Sequence, residues 1–355
     1  MTRARELGLV IGSGVPGPYN AITDVPGVRT GYSTLIAGTD VRTGVTAILP
    51  GVHAEPVFAG FHRLNGAGEM TGVHLLREWG VLSSPIAITT THSVGTVHSA
   101  LVAHSIRAGS VKAGFGPWSA PVVAETWDGT LNDANGFHVR PEHVEQALAD
   151  AQGGRIAEGN VGGGTGMICH GFKGGTGTSS RLLAEADGGY TIGVLVQANH
   201  GRRQRLRING IPVGEQVPPS LVPLPGTAAP SEGSIIVVVA TDAPLIPLQC
   251  DRLAQRAALG IGRTGGLGEN GSGDLIVAFA TGNRPIVVLD SPPPLTVPLR
   301  MLQNARINAL FEAVVEATEE AIVNALVAAE TMTGFDGRTA YRLPHGEISG
   351  MRSNN

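Results

Sequence analysis

The sequence predicts an α/β protein whose sheets are covered on both faces, and two observations carry that prediction. Short apolar runs bounded by turn residues are continuous rather than alternating, which is the pattern of strands buried on both sides. Segments of helical periodicity are interspersed among them, so a sandwich of sheets or sheets under helices is expected. The strand candidates are residues 45–49, 85–89, 191–197, 234–240, 274–280 and 285–289. The helix candidates are 69–79, 94–108, 141–151, 247–259 and 308–330. The last is the most regular, with Phe311, Val315, Ile322 and Leu326 along one stripe. Pro-, Gly- and Ser-rich stretches at 210–233 and 282–298 read as exposed connectors. Neither separates two self-sufficient halves, and no internal repeat is found, so one domain spanning 1–355 is expected.

Composition agrees with a large buried core. The chain has 355 residues, 51 of them glycine, and is 42% hydrophobic. Charged residues make up 15%, against a usual share of about 25%. A net charge of −4 leaves no electrostatic footprint for nucleic acid, and the basic run 202–207 has no aromatic interleaving. Two cysteines, Cys169 and Cys250, cannot build a disulfide framework and suit a reducing compartment. No apolar stretch approaches a membrane span and the first residues lack a signal-peptide pattern, so a cytoplasmic protein is expected.

The segment Glu269-Asn270-Gly271-Ser272-Gly273-Asp274 stands at the mouth of a buried strand. Glycines beside a serine let the backbone bend sharply and let another group approach the hydroxyl. Cleavage of the Gly271–Ser272 bond would give Ser272 a terminal amine of pKa about 7.7–8.0, a base one residue's width from the hydroxyl. A plain loop-to-strand turn is the ordinary alternative. Glu125 follows an apolar run and taken alone reads as a solvated turn acid at a strand end, while Asn199 closes another and could cap a strand or face an oxyanion. The glycine clusters 162–166 and 174–177 lack P-loop and dinucleotide signatures and read as sharp turns and close backbone packing. His92, His98 and His104 recur every six residues, which scatters them around a helix instead of stacking them as metal ligands. No Gly-x-Ser-x-Gly elbow occurs.

Taken in order, the segments 20–28, 64–70, 125–129, 162–169, 196–199, 240–245, 263–265, 270–274 and 316–321 resemble the self-processing aminopeptidase family. That family includes L-aminopeptidase/D-amidase-esterases and β-peptidyl aminopeptidases, and the resemblance covers nearly the whole chain. It implies a four-layer αββα sandwich similar to that of N-terminal-nucleophile hydrolases and shared with ornithine acetyltransferases. It also implies self-cleavage before Ser272 into an α chain 1–271 and a β chain 272–355, assembled as a homotetramer of αβ units. The implied activity removes a small N-terminal residue from peptides, amides or esters without metal or cofactor.

On this resemblance Ser272 is the nucleophile, Asn199 an oxyanion donor and Glu125 the partner of the substrate ammonium. Members of the family carry tyrosine where this chain has Trp127, so the second oxyanion partner is left open and Trp127 is expected to wall the substrate pocket. The family also orients the terminal amine with a hydroxyl residue and a glutamate two positions later, matched here by Thr318 and Glu320. On an ideal helix those two lie about 200° apart, which conflicts with a shared pocket. An acyltransferase on the same fold and a catalytically silent small-molecule-binding protein are the alternatives.

Overall fold

The computed structural model describes residues 1–51, 56–108, 119–226, 233–283 and 294–349. The strand expected at 285–289 lies outside the described residues. A first sheet has the order β1-β2-β5-β6, built from β1 (Arg29–Ala37), β2 (Val41–Leu49), β5 (Ile86–Thr90) and β6 (Val122–Thr126). A second has the order β4-β3-β12-β11-β10-β9. Its strands are β3 (Val57–Gly66), β4 (Val81–Leu82), β9 (Gly175–Leu182), β10 (Thr191–His200), β11 (Gly233–Thr241) and β12 (Gly273–Ala280). Two short pairs, β7 (Ile168–Cys169) with β8 (Phe172–Lys173) and β13 (Met332–Thr333) with β14 (Thr339–Ala340), stand apart. Strands β5/β6 and β11/β12 run parallel, while β10 is antiparallel to both β9 and β11.

The two sheets face each other between two helical layers. Helices α2 (Val94–Arg107) and α3 (Pro141–Ala149) cover the first sheet, packing Val97, Leu101 and Val144 on Val45 and Ala87. Helices α5 (Pro247–Arg263) and α6 (Asn308–Ala328) cover the second. The shorter helices α1 (Val73–Trp79), α4 (Val213–Gln216) and α7 (His345–Ile348) add Leu76, Val213 and Ile348 to the buried clusters. Strand β11 shows how sequence makes the layers. Its Ile235, Val237 and Val239 turn to the helices, while Ile236, Val238 and Ala240 enter the core between the sheets. Both faces are dry, hence the continuous apolar run. The fold is therefore the expected αββα sandwich.

The glycine clusters close contacts between layers. Gly162–Gly164 form a 3-10 turn, and a Cβ at Gly163 would lie 2.2 Å from the Gln197 side chain. The second cluster is not a turn: it opens edge strand β9, and a Cβ at Gly177 would lie 2.0 Å from the Ala321 carbonyl of α6.

Helix α6 is buried far beyond the single apolar stripe, and its polar residues are internal partners. Arg181 of β9, fully buried, pairs with Glu316 at 3.0 Å and Glu320 at 2.8 Å. Glu320 also receives two hydrogen bonds from Arg5 and one from the Asn20 amide at 2.6 Å. Thr318 donates to the Val314 carbonyl of its own helix and packs against Gly260 of α5. These placements correct the expectation that Thr318 and Glu320 form a catalytic pair. Residues two apart on a helix point to different neighbours, here α5 and β9. Glu320 acts instead as a buried counterion. Removing one partner of such a network leaves an uncompensated charge, so Glu320→Gln is expected to destabilise the fold by about 3–5 kcal/mol. A urea midpoint lowered to match supports this; wild-type stability with lost catalysis would return Glu320 to the site.

Candidate active site

The pairing register assembles the site. Asn199 of β10 lies opposite Ser234 of β11, and Ser234 lies beside Gly273 of β12. Adjacent strands are about 4.8 Å apart, so Asn199, Ser234 and Gly273 form one transverse row. Alternation puts all three on the inter-sheet face, because Leu195, Ile236 and Leu275 of the same strands point into that core. Ser234 is preceded by Gly233, whose φ of +77° and whose hypothetical Cβ, 2.3 Å from the Asn199 carbonyl, restrict that position to glycine.

Asn199 is held rigidly. Its side-chain oxygen accepts from the Ile168 N–H at 2.8 Å, and its amide nitrogen donates to the Trp127 carbonyl at 2.9 Å. The amide carries two hydrogens, so one remains for another acceptor. The Trp127 indole is more than a third exposed and meets the His92 ring edge-on at 5.2 Å.

Beyond Gly273 lies Glu125. Gly68 packs on Gly273 with only backbone between them, and a Cβ at Gly68 would lie 3.0 Å from both the Gly273 Cα and a Glu125 carboxylate oxygen. That oxygen accepts from the Glu69 N–H at 3.0 Å, and the other accepts from the Thr91 hydroxyl. Burial raises the Glu125 pKa, and these two hydrogen bonds hold it back. Among the described residues no arginine or lysine pairs with this buried carboxylate and only His92 favours its charge from nearby, so a ligand's ammonium would supply a full counterion.

Ser272 occupies the turn just before β12, its N–H bonded to the Glu269 carbonyl. Its hydroxyl is given to Asp274 at 2.6 Å. Burial pushes Asp274 up to about 6, against the Ser272 hydroxyl and the Ile235 N–H, which both favour its charged form. Gly271 sits in the same turn, and Asn65 ties it down by donating to the Glu269 and Ser272 carbonyls at 2.8 and 2.6 Å.

Of the residues expected from sequence, the structure therefore brings Asn199, Glu125, Trp127 and Ser272 to one end of the sheets. Thr318 and Glu320 are elsewhere: the Glu320 partner Arg181 lies in the row Arg181, Ile192, Thr241 and Ala280. That row is seven residues along β11 from Ser234, or about 23 Å at 3.3 Å per residue. Two further residues stand at this end of the sheets. Ser234 carries the same sequence signature as Ser272, a Gly-Ser pair opening an apolar run, which by itself reads as the start of a strand. Asp274 follows Ser272 by two residues and has no distinguishing pattern in the sequence.

Among the described residues the metal-ligating types converge at Cys169, His170 and His200, whose ligand atoms lie within 4.8 Å of one another behind Asn199. Burial pushes the Cys169 thiol up to about 12 and His170 down to about 4, which keeps all of this cluster neutral together with the similarly lowered His200. The histidines at 92, 98 and 104 are not part of it.

The sequence pattern of Peptidase family S58 matches residues 20–340. The β-peptidyl aminopeptidase BapA of Sphingosinicella microcystinivorans is 51% identical over 98% of this chain and 90% of its own length. A solved β-aminopeptidase from Burkholderia sp. superposes with a TM-score of 0.92 at 50% identity, covering 99% of this chain and all of the other. The L-aminopeptidase D-Ala-esterase/amidase of Ochrobactrum anthropi, described as a variant of the Ntn hydrolase fold, superposes with a TM-score of 0.88 at 45% identity, over 98% and 97% of the two chains. These likenesses span the whole sandwich and include every strand of the Asn199 row; the chain belongs to peptidase family S58 and is an aminopeptidase.

Proposed function

We propose that this aminopeptidase is a self-processing serine enzyme whose nucleophile is Ser234, and that cleavage falls before Ser234 instead of before Ser272. One observation carries the assignment: Ser234 stands between Asn199 and Gly273 in the row, on the face they share. Ser272 has its hydroxyl committed to Asp274 and is not opposite Asn199.

In self-cleavage the Ser234 oxygen attacks the Gly233 carbonyl carbon, the C–N bond breaks and its nitrogen takes the proton. The resulting ester is hydrolysed by water, giving an α chain 1–233 and a β chain of 355 − 234 + 1 = 122 residues. The freed α-amine of Ser234 then serves as base for its own hydroxyl. Asp274, already accepting from the Ile235 N–H next in sequence, holds that amine together with Ser272. A hydroxyl and an acid two residues apart thus work at the mouth of a strand, as the Thr318 and Glu320 spacing on a helix does not.

With substrate, Glu125 pairs with the N-terminal ammonium and Ser234 attacks the first carbonyl. Asn199 donates its remaining N–H to the oxyanion, an interaction worth about 3 kcal/mol where water is excluded. The acyl-enzyme is released by water, with no metal or cofactor in any step. Trp127 walls the pocket. The names of the relatives at 50–51% identity support β-amino acids among the residues removed. The same reading includes a homotetramer of αβ units, for which the exposed Leu248 and Leu259 of α5 offer apolar surface. It also includes a cytoplasmic location, which two free buried cysteines suit.

Intact mass under denaturing conditions tests the assignment. A fragment beginning at Ser234 is expected, and Ser234→Ala should remain a single chain while Ser272→Ala still yields some of the same fragment; a fragment beginning at Ser272 would overturn it. Turnover by the processed chain should also depend on pH. The Asp274 carboxylate holds the freed amine, so kcat/KM should fall as pH drops through about 6, and Asp274→Asn should flatten that limb. An unchanged profile in the variant would remove Asp274 from the mechanism.

A further inference from the structure

The row has a direction. Glu125 lies past Gly273 on one side of Ser234, and Asn199 lies on the other. A substrate with its ammonium at Glu125 and its carbonyl between Ser234 and Asn199 must send its leaving group past Asn199. A cleft of about 420 Å³ opens there, lined by Trp127, Asn199, Arg202, Arg203, Gln204 and Arg338 among others.

The charge in this cleft is one-sided. No aspartate or glutamate is among the described residues lining it. Arg203, fully buried, gives its N–H groups to the carbonyls of His170, Gly171, Val217 and Val222 and lies over the Phe172 ring at 3.5 Å. None of these partners is an anion, so its charge is uncompensated among the described residues. Arg202 shares one Glu269 oxygen with Arg205, at 2.7 and 2.6 Å, so two cations meet one carboxylate. Arg338 pairs with the exposed Asp336 only two residues away, a weak surface partner.

We infer that this cleft is the leaving-group subsite and that its arginines select peptides whose second residue ends in a free carboxylate, a dipeptide before an amidated or longer chain. The inference rests on the aminopeptidase reading above. The second residue's carboxyl lies about 3.5 Å beyond the first carbonyl in an extended chain. Arg202 and Arg338 line the cleft that receives it, and their long side chains supply donors for charge-assisted hydrogen bonds to a carboxylate. Arg203 acts behind them through its field, since its own donors are engaged.

The test compares kcat/KM for a dipeptide and its C-terminal amide with the same N-terminal residue, using processed wild-type enzyme. The free acid should be favoured by about tenfold or more, mainly through KM, corresponding to about 1.4 kcal/mol. The ratio should shrink with rising ionic strength. It should approach one in Arg202→Gln, Arg338→Gln or the double variant, with circular dichroism confirming that each folds. Equal hydrolysis of acid and amide by the wild type would overturn the subsite and leave the aminopeptidase reading intact. Hydrolysis of neither by fully processed chain would overturn both.

Discussion

The antiparallel pairing of β10 with β11, continued by the parallel pairing of β11 with β12, is the constraint on which the rest of the site depends. It sets Asn199, Ser234 and Gly273 in one row. A slip of one residue in either ladder would send a row member to the helical face, because side chains alternate along a strand. The register is fixed by two dry faces at once. Ile235, Val237 and Val239 must meet the helices while Ile236 and Val238 meet the first sheet, so no slipped pairing satisfies both. Site precision is thus a by-product of core packing.

The same economy appears at the far end of the second sheet. Arg181, Glu316 and Glu320 hold α6 against β9 with buried charges, and Asn20 and Arg5 complete the shell. That network anchors the N-terminal segment and the last long helix to one strand. The reaction end has a different character, with Glu125 and Asp274 pushed upward by burial and no arginine or lysine paired with either among the described residues.

Much of the sandwich was legible from sequence, since continuous apolar runs and the periodicity of 308–330 report burial directly. Strand β9 was not, because its glycines read as a turn, although they are there to let α6 approach. Asn199 and Glu125 each end a buried run, which by itself reads as a strand cap and a turn acid, and it is the family resemblance that singles them out. Ser234 was hidden by its own strand: a serine inside an apolar run looks like its first residue, and only the register shows Asn199 opposite. Thr318 and Glu320 matched a spacing without its geometry. A two-residue interval brings groups together at a strand and parts them on a helix, and the Ser272–Asp274 contact at 2.6 Å has that interval at a strand.

On the proposed mechanism the acyl group is carried by Ser234, the serine opposite Asn199. Trapping the acyl-enzyme by acid quench during turnover of an aminoacyl ester, followed by peptide mapping, tests this directly. The added acyl mass is expected on the hydroxyl of Ser234, in a peptide whose N-terminus is that residue. The same mass on the peptide containing Ser272, with Ser234 unmodified, would make Ser272 the nucleophile instead.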